Sequence, residues 1–526
     1  MRLFAMALAL AVLPAAAPPT NPVVSGDWSD PAIVRVGDHY YTMRSSFGFQ
    51  PGLPIMQSDD LVNWRYIGFV YDTHPLIASG VTATGSWGAE LGYNPNTKSF
   101  VVYTPIDRYI RAYTSRNPGG PYRGPYDLGL RGIDPGFFAD DDGRLYLIYH
   151  EGKIVELARD GLSVKREVTS VGLGRGVAFE GPSIAKHGGY YYVLYSSGGT
   201  RPHQHSAIST ARARRIEGPW EPCPHNPQLQ ADDNSGSQFQ GPAHGTLIRG
   251  PDGRWYVTYH AFELTHYSLG RQMCIEPIEW TDDGWWRPVH GRTPSPEAPI
   301  ARRVPDGSDE FDKPELGPQW FFLTAPDRSG MSWTLRERPG FLRIKAQPGD
   351  LGDKSALTGV FLQRLTLKRF SVVTQLNFRA RSPGEAAGIH FFHDPGMNFW
   401  LASTFADGRP AFEIGRYDNA KRDILHSEPN IIGSRVRLMI RVDGEETASF
   451  YVSAVDGPWC RIGPTVYFGD SWHDLRSGRG GSPDLGWVGI EKRNVWTAAT
   501  MGVFAVRGQS ESQVNADFDW FRIVPR

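Results

Sequence analysis

Three acidic residues occupy the same kind of place in this chain. Asp30 precedes Pro31-Ala32-Ile33, Asp134 precedes Pro135-Gly136-Phe137, and Glu180 precedes Gly181-Pro182-Ser183, each at the mouth of a short apolar strand. Two carboxyl groups flanking an acetal, one protonated and one ionised, are what hydrolysis of a glycosidic bond needs. A third carboxylate nearby raises the pKa of the acid, because like charges resist joint ionisation. Asp30, Asp134 and Glu180 could fill these three places. Asp-Pro and Gly-Pro are also ordinary turn chemistry, so the argument rests on recurrence and not on any single segment.

The elements that would position these acids repeat along the chain. After Glu180 comes the strand Ser183 to Lys186, a Gly188-Gly189 reversal, and the aromatic partner strand Tyr190-Tyr191-Tyr192-Val193-Leu194-Tyr195, the pattern of a β-hairpin. Similar units open at Asp30, at Trp87-Gly88-Ala89-Glu90, at Asp134 and at His244-Gly245-Thr246-Leu247-Ile248. Their starts lie roughly fifty residues apart, the period of four-stranded propeller blades. The expectation is a five-bladed β-propeller in which Asp30, Glu90, Asp134, Glu180 and His244 converge at one end of the axis.

Gly 59 and Pro 41, a hydrophobic fraction of 40%, and little helical periodicity beyond the N-terminus point to an all-β chain. Its 526 residues exceed one ordinary domain. A proline-rich stretch from Gly291 to Ser308 reads as a linker. Beyond it, short alternating segments such as Val436-Arg437-Leu438-Met439-Ile440 and Phe518-Asp519-Trp520-Phe521 read as a β-sandwich. Residues 1–17 carry the basic start, apolar core and small-residue exit of a secretory signal peptide. The expected divisions are therefore a leader at 1–17, a propeller at 21–300 and a sandwich at 306–526, in a secreted or periplasmic protein.

With a formal charge of −1 and no long charged run, the chain lacks the electrostatic footprint for nucleic acid or anionic lipid. The expected partner is a neutral oligosaccharide or polysaccharide, and the oligomeric state is open. Three scattered cysteines, Cys223, Cys274 and Cys460, allow at most one intrachain disulfide.

Taken together, Ser29-Asp30-Pro31-Ala32-Ile33, Ile133-Asp134-Pro135-Gly136-Phe137 and Phe179-Glu180-Gly181-Pro182-Ser183 resemble the signature segments of glycoside hydrolase family 43. Pro51 to Trp64, His244 to Ile248 and Glu276 to Trp280 are similar to further segments of that family. The C-terminal part resembles the concanavalin-like sandwich of family β-xylosidases, from Asp309-Glu310-Phe311 to Asp517-Phe518-Asp519-Trp520-Phe521. The resemblance implies inversion, with Asp30 as general base, Glu180 as general acid and Asp134 raising the pKa of Glu180. It also implies that Trp87 and Arg271 bind sugar and that His244 lies on the axis beneath the site. One departure is Trp87-Gly88-Ala89-Glu90, where the family has Trp-Ala-Pro-acid.

Other motifs have plainer readings. Asp140-Asp141-Asp142-Gly143 lies where a hairpin turn is required and lacks the ligand spacing of a calcium loop. His203-Gln204-His205 lacks further ligands nearby, and Phe391, Phe392, Phe399 and Trp400 have core packing as their default. No cofactor is expected for the reaction; a calcium ion in the sandwich, suggested by its acidic termini, or in the channel is an open expectation. Two function classes remain. One is an exo-acting enzyme releasing xylose or arabinofuranose, with endo-arabinanase or galactanase action as the alternative on the same scaffold. The other is a non-catalytic carbohydrate-binding propeller, for which three separately placed acids have no use.

Overall fold

The computed structural model describes residues 21–74, 85–173, 179–199, 204–232, 234–296, 307–323, 329–418, 420–468 and 498–526. The expected leader, the centre of the linker and His203 lie outside the described residues. Among these the only helical pieces are two 3-10 turns, Tyr267–Leu269 and Lys354–Gly359; no helix is long and apolar enough to cross a membrane.

Five antiparallel sheets form the N-terminal part, each built outward from a strand that opens one of the repeats: Ala32–Val36, Glu90–Asn94, Gly136–Ala139, Glu180–His187 and Phe239–Arg249. Every one of these inner strands touches the inner strands of two neighbouring blades, and the fifth touches the first, so the ring closes. The closure is fastened by the N-terminal segment, whose Val23 and Val24 N–H groups both donate to the Met273 carbonyl in blade five. Asn21 locks the register there, accepting the Ile275 N–H at 2.6 Å and donating to Glu276 Oε1 at 2.8 Å.

Blades adhere through the aromatic strands read from the sequence. Tyr192 and Leu194, from the strand after the Gly188-Gly189 turn, pack with Val257, Tyr259 and Trp286 of blade five. Their neighbours Tyr191, Val193 and Tyr195 point the other way and pack with Tyr146 and Ile148 of blade three, as the two-residue period of a strand requires. Asp140 ends the first strand of blade three and accepts from the Tyr191 hydroxyl and Lys186 Nζ, both at 2.6 Å, while Asp141 and Gly143 make the expected turn.

The C-terminal part is a sandwich of a seven-stranded and a six-stranded sheet. Strand Arg435–Val442 buries Val436, Leu438, Ile440 and Val442 in alternation, facing Phe391, Phe399 and Leu401 of the opposite sheet. Phe392 and Trp400 take the other face of their sheet and form a second cluster with Phe321 and with Phe49 of the propeller. These aromatics are packing groups of the core and the domain seam. No two of the cysteines form a disulfide; Cys223 and Cys274 are buried and Cys460 is exposed.

Candidate active site

Each blade has left-handed backbone at a residue on or just before its inner strand: Asp30 (φ 52°), Gly88 (52°), Asp134 (48°), Gly181 (52°) and, in the middle of the fifth strand, His244 (54°). Such a conformation costs a residue with a Cβ of order 1 kcal/mol or more and persists where the surroundings impose it. Here it occurs at three of the residues singled out for chemistry. Blades two and four have glycine instead because the space is taken. A Cβ on Gly88 would fall 2.1 Å from Asp134 Oδ1, and one on Gly181 would fall 2.6 Å from His244 Cγ.

This register corrects one expectation. Glu90 lies two residues past the axial position of blade two, with its backbone opposite Tyr103. Burial drives its pKa well up, against a hydrogen bond from the Phe137 N–H of blade three. It does not take the axial position expected of it.

Asp30 is held from several sides. Arg271 Nη1 donates to Oδ1 at 2.6 Å and the Ser45 hydroxyl donates to Oδ2 at 2.6 Å. The Asp30 N–H donates to His260 Nδ1 at 3.0 Å, which makes that nitrogen an acceptor. Burial and the Arg271 charge keep His260 well below the ordinary imidazole pKa, hence neutral with its proton on Nε2. Burial of Asp30 alone would favour the neutral acid, but Arg271, His244 and the Ser45 hydrogen bond outweigh it and hold the carboxyl well below the usual range. Asp30 is a carboxylate at any ordinary pH.

The facing side is tuned in the opposite sense. Glu180 is half-buried, and burial raises its pKa; the Asp134 charge raises it further, while His244 opposes. Asp134, itself raised by burial, accepts the Gly181 N–H at 3.1 Å and so sits against the backbone that carries Glu180. Glu180 pairs with Ser196, and the strand register breaks between it and Ser183, an irregularity common beside active sites. His244 Nε2 stands between the acids, 3.5 Å from Asp30 Oδ1 and 3.8 Å from Asp134 Oδ2, and its ring stacks on His260 at 5.2 Å.

Asp30, Asp134, Glu180, His244 and Arg271 therefore come together. Trp87 is half-buried between Ser86, paired with Phe47, and Gly88, whose N–H donates to Ser45 Oγ at 2.9 Å. Arg271 has a role beyond the sugar contact expected of it, since its side chain is 3% exposed and its guanidinium binds Asp30. Sequence reasoning missed Ser45 and His260. For His260 a signal existed: counting back from the Asp252-Gly253 turn puts it across from His244, and a register shift in the strand moves its pairing to the adjacent Ala243. Ser45 had one too: continuing the register back from the Gly37-Asp38 turn puts it opposite Asp30, although its other partner, Gly88, is distant in sequence.

Calcium takes about six to eight oxygen ligands. Among the described residues no three His, Cys, Asp or Glu side chains group as a metal site.

A five-bladed propeller with converging acids, joined to a two-sheet sandwich, defines a carbohydrate-active class, and comparison with known proteins fixes the family. The model for glycosyl hydrolases family 43 matches residues 19–286, half of the chain, and that for the beta xylosidase C-terminal concanavalin A-like domain matches residues 308–524. The chain belongs to glycoside hydrolase family 43 and is a glycosidase. It is similar to a non-reducing end alpha-L-arabinofuranosidase of Bacteroides ovatus, 27% identical over 95% of this chain and 94% of that one. It is also similar to a xylan 1,3-beta-xylosidase of a Vibrio species, 26% identical over 96% and 98% of the two chains. Among solved structures, a family 43 protein from Bacillus licheniformis matches with a TM-score of 0.85 at 28% identity, covering 97% of this chain and 100% of that one. A xylan beta-1,4-xylosidase from Bacillus halodurans matches with a TM-score of 0.80 at 27% identity, covering 96% and 100%.

Proposed function

We propose that this enzyme is an inverting, exo-acting glycosidase that releases xylose or arabinofuranose from plant cell-wall oligosaccharides and polysaccharides. The observation that carries the reading is the opposite tuning of two carboxyls in one cluster. Asp30 is held ionised against Arg271, while Glu180 is biased towards its protonated form by burial and Asp134. In this reading Asp30 takes a proton from a water molecule, which attacks the anomeric carbon from the side opposite the leaving group. Glu180 gives its proton to the glycosidic oxygen as that C–O bond breaks, and the sugar leaves with inverted configuration. His244 steadies the two aspartates, Trp87 supplies an apolar wall for the sugar's C–H face, and Arg271 adds hydrogen bonds at the rim of the base.

Exo action and the choice of sugar are supported by the relatives, among them a non-reducing end arabinofuranosidase and xylosidases. The hydrolysis needs no cofactor. The leader at 1–17 supports export, and N-terminal sequencing of the protein recovered outside the cytoplasm should begin just after Ala15, Ala16 or Ala17. The test of activity is hydrolysis of aryl β-D-xyloside and aryl α-L-arabinofuranoside beside Asp30→Asn. Turnover by the parent enzyme and its loss in the variant are expected. Absence of turnover on both, with binding of xylan or arabinan oligomers that are never cleaved, would replace the enzyme reading with a binding module.

A further inference from the structure

The sandwich grips the propeller on both sides of the Asp30–Arg271 pair. On the Arg271 side, the 3-10 turn Tyr267–Leu269 leaves the propeller and contributes Leu269 to the main sandwich core. Glu446, in the turn before the sandwich strand Thr447–Ala454, accepts the Ser268 N–H at 3.0 Å and the Ser268 hydroxyl through the same oxygen. The Ser268 carbonyl accepts the Ala499 N–H at 3.0 Å, and His266 Nε2 meets the Gly444 carbonyl at 2.9 Å. Gly270 then passes so close to Ala498 and Asp27 that a Cβ would fall 2.8 Å from one and 3.2 Å from the other. The next residue is Arg271.

On the Asp30 side, Arg364 of the sandwich strand Gln363–Arg364 donates through Nη1 to the carbonyls of Ser25 and Asp27, both at 3.1 Å. Its guanidinium lies 4.9 Å from the Trp28 ring and its Nε donates to the Tyr66 hydroxyl at 2.8 Å. The Trp28 N–H donates to the Arg271 carbonyl at 2.8 Å, joining the two gripped segments at the residue that carries the guanidinium.

We propose that Glu446 and Arg364 are positioning residues for the Asp30–Arg271 pair, so that the second domain sets the geometry of the catalytic base from the seam. This rests on the reading of Asp30 as base. Neither residue touches the cluster itself; each fixes backbone that leads into it within a few residues. A displacement of about 1 Å at a reacting group can cost around a hundredfold in rate, and the Arg271 contact at 2.6 Å is short enough to be sensitive to such a shift.

The test uses the full chain and an aryl glycoside substrate, with kcat, KM, the pH profile of kcat/KM and thermal unfolding measured together. Glu446→Ala should lower kcat about tenfold or more with little change in KM. It should also move the acid limb of the profile upward by about half a pH unit or more, since Asp30 loses part of its Arg271 contact. Glu446→Gln keeps the accepting oxygen and should restore both quantities to near the parent values. Arg364→Met, whose stem still covers Trp28, is measured alongside so that a folding failure of Glu446→Ala leaves a second route; it should show the same upward acid limb. Parent kcat and acid limb in folded Glu446→Ala and Arg364→Met, or equal loss in Glu446→Ala and Glu446→Gln, would overturn the proposal. Asp30→Asn separates the two levels. If it stays active, the reading of the base falls and the proposal with it; if it is inactive while both seam variants behave as the parent, only the positioning role falls.

Discussion

Arg271 and Asp30, 241 residues apart in sequence, meet at 2.6 Å where the last blade closes on the first. The pair ties ring closure to chemistry, because the strand that completes the propeller also supplies the charge that keeps Asp30 ionised. Removing that charge should move the acid limb. Activity requires ionised Asp30, so it is lost as pH falls through a pKa that is held well below the usual carboxylate range. Arg271→Met should carry the acid limb of kcat/KM upward by about one pH unit or more and lower kcat at neutral pH. A pH–rate profile of the two proteins checks this.

The alkaline limb belongs to Glu180, which must be protonated. Activity is lost as pH rises through a pKa raised by burial and by Asp134. Asp134→Asn removes that negative charge, lowers the Glu180 pKa and should bring the alkaline limb down, in the direction opposite to the Arg271→Met effect on the acid limb. The same profiles, extended to pH 9 or so, distinguish the two.

Leaving-group chemistry separates acid from base. Glu180→Gln should cost about 10²–10⁴ in kcat on natural linkages and much less on an aryl glycoside whose leaving group needs no proton. Asp30→Asn should cost a similar factor on both, because every substrate needs the attacking water activated. Steady-state kinetics on a xylo-oligosaccharide and a nitrophenyl glycoside measure the contrast.

Gly181→Ala should be harmful on two counts. It forces a Cβ into left-handed backbone and sets that carbon 2.6 Å from the His244 ring. A stability loss of about 1–3 kcal/mol is expected, with kcat falling because Glu180 precedes the strained residue and Asp134 accepts its N–H. Thermal unfolding and kcat together check it.

Much of this architecture was legible in the residues because it is local. The Asp-Pro and Gly-Pro openings, the Gly188-Gly189 and Asp252-Gly253 turns and the alternating Val436 to Val442 strand each encode an element within a few positions, and five repeats of one pattern imply a ring. What could not be read was long-range register. Glu90 looked equivalent to Asp134, yet the axial position of blade two belongs to Gly88, because Asp134 occupies the space a side chain there would need. His260, Glu446 and Arg364 acquire their meaning from partners brought near only by ring closure and domain docking.

The central claim is that Asp30 activates water on one side of the anomeric carbon while Glu180 protonates the leaving oxygen on the other. The most direct test is proton NMR of the first anomer released from an aryl β-D-xyloside or aryl α-L-arabinofuranoside, recorded before mutarotation. The account predicts the inverted anomer, α-xylose or β-arabinofuranose, from the parent enzyme. A retained anomer would mean that a carboxylate attacks the sugar itself, and would contradict the assignment of Asp30 as the base.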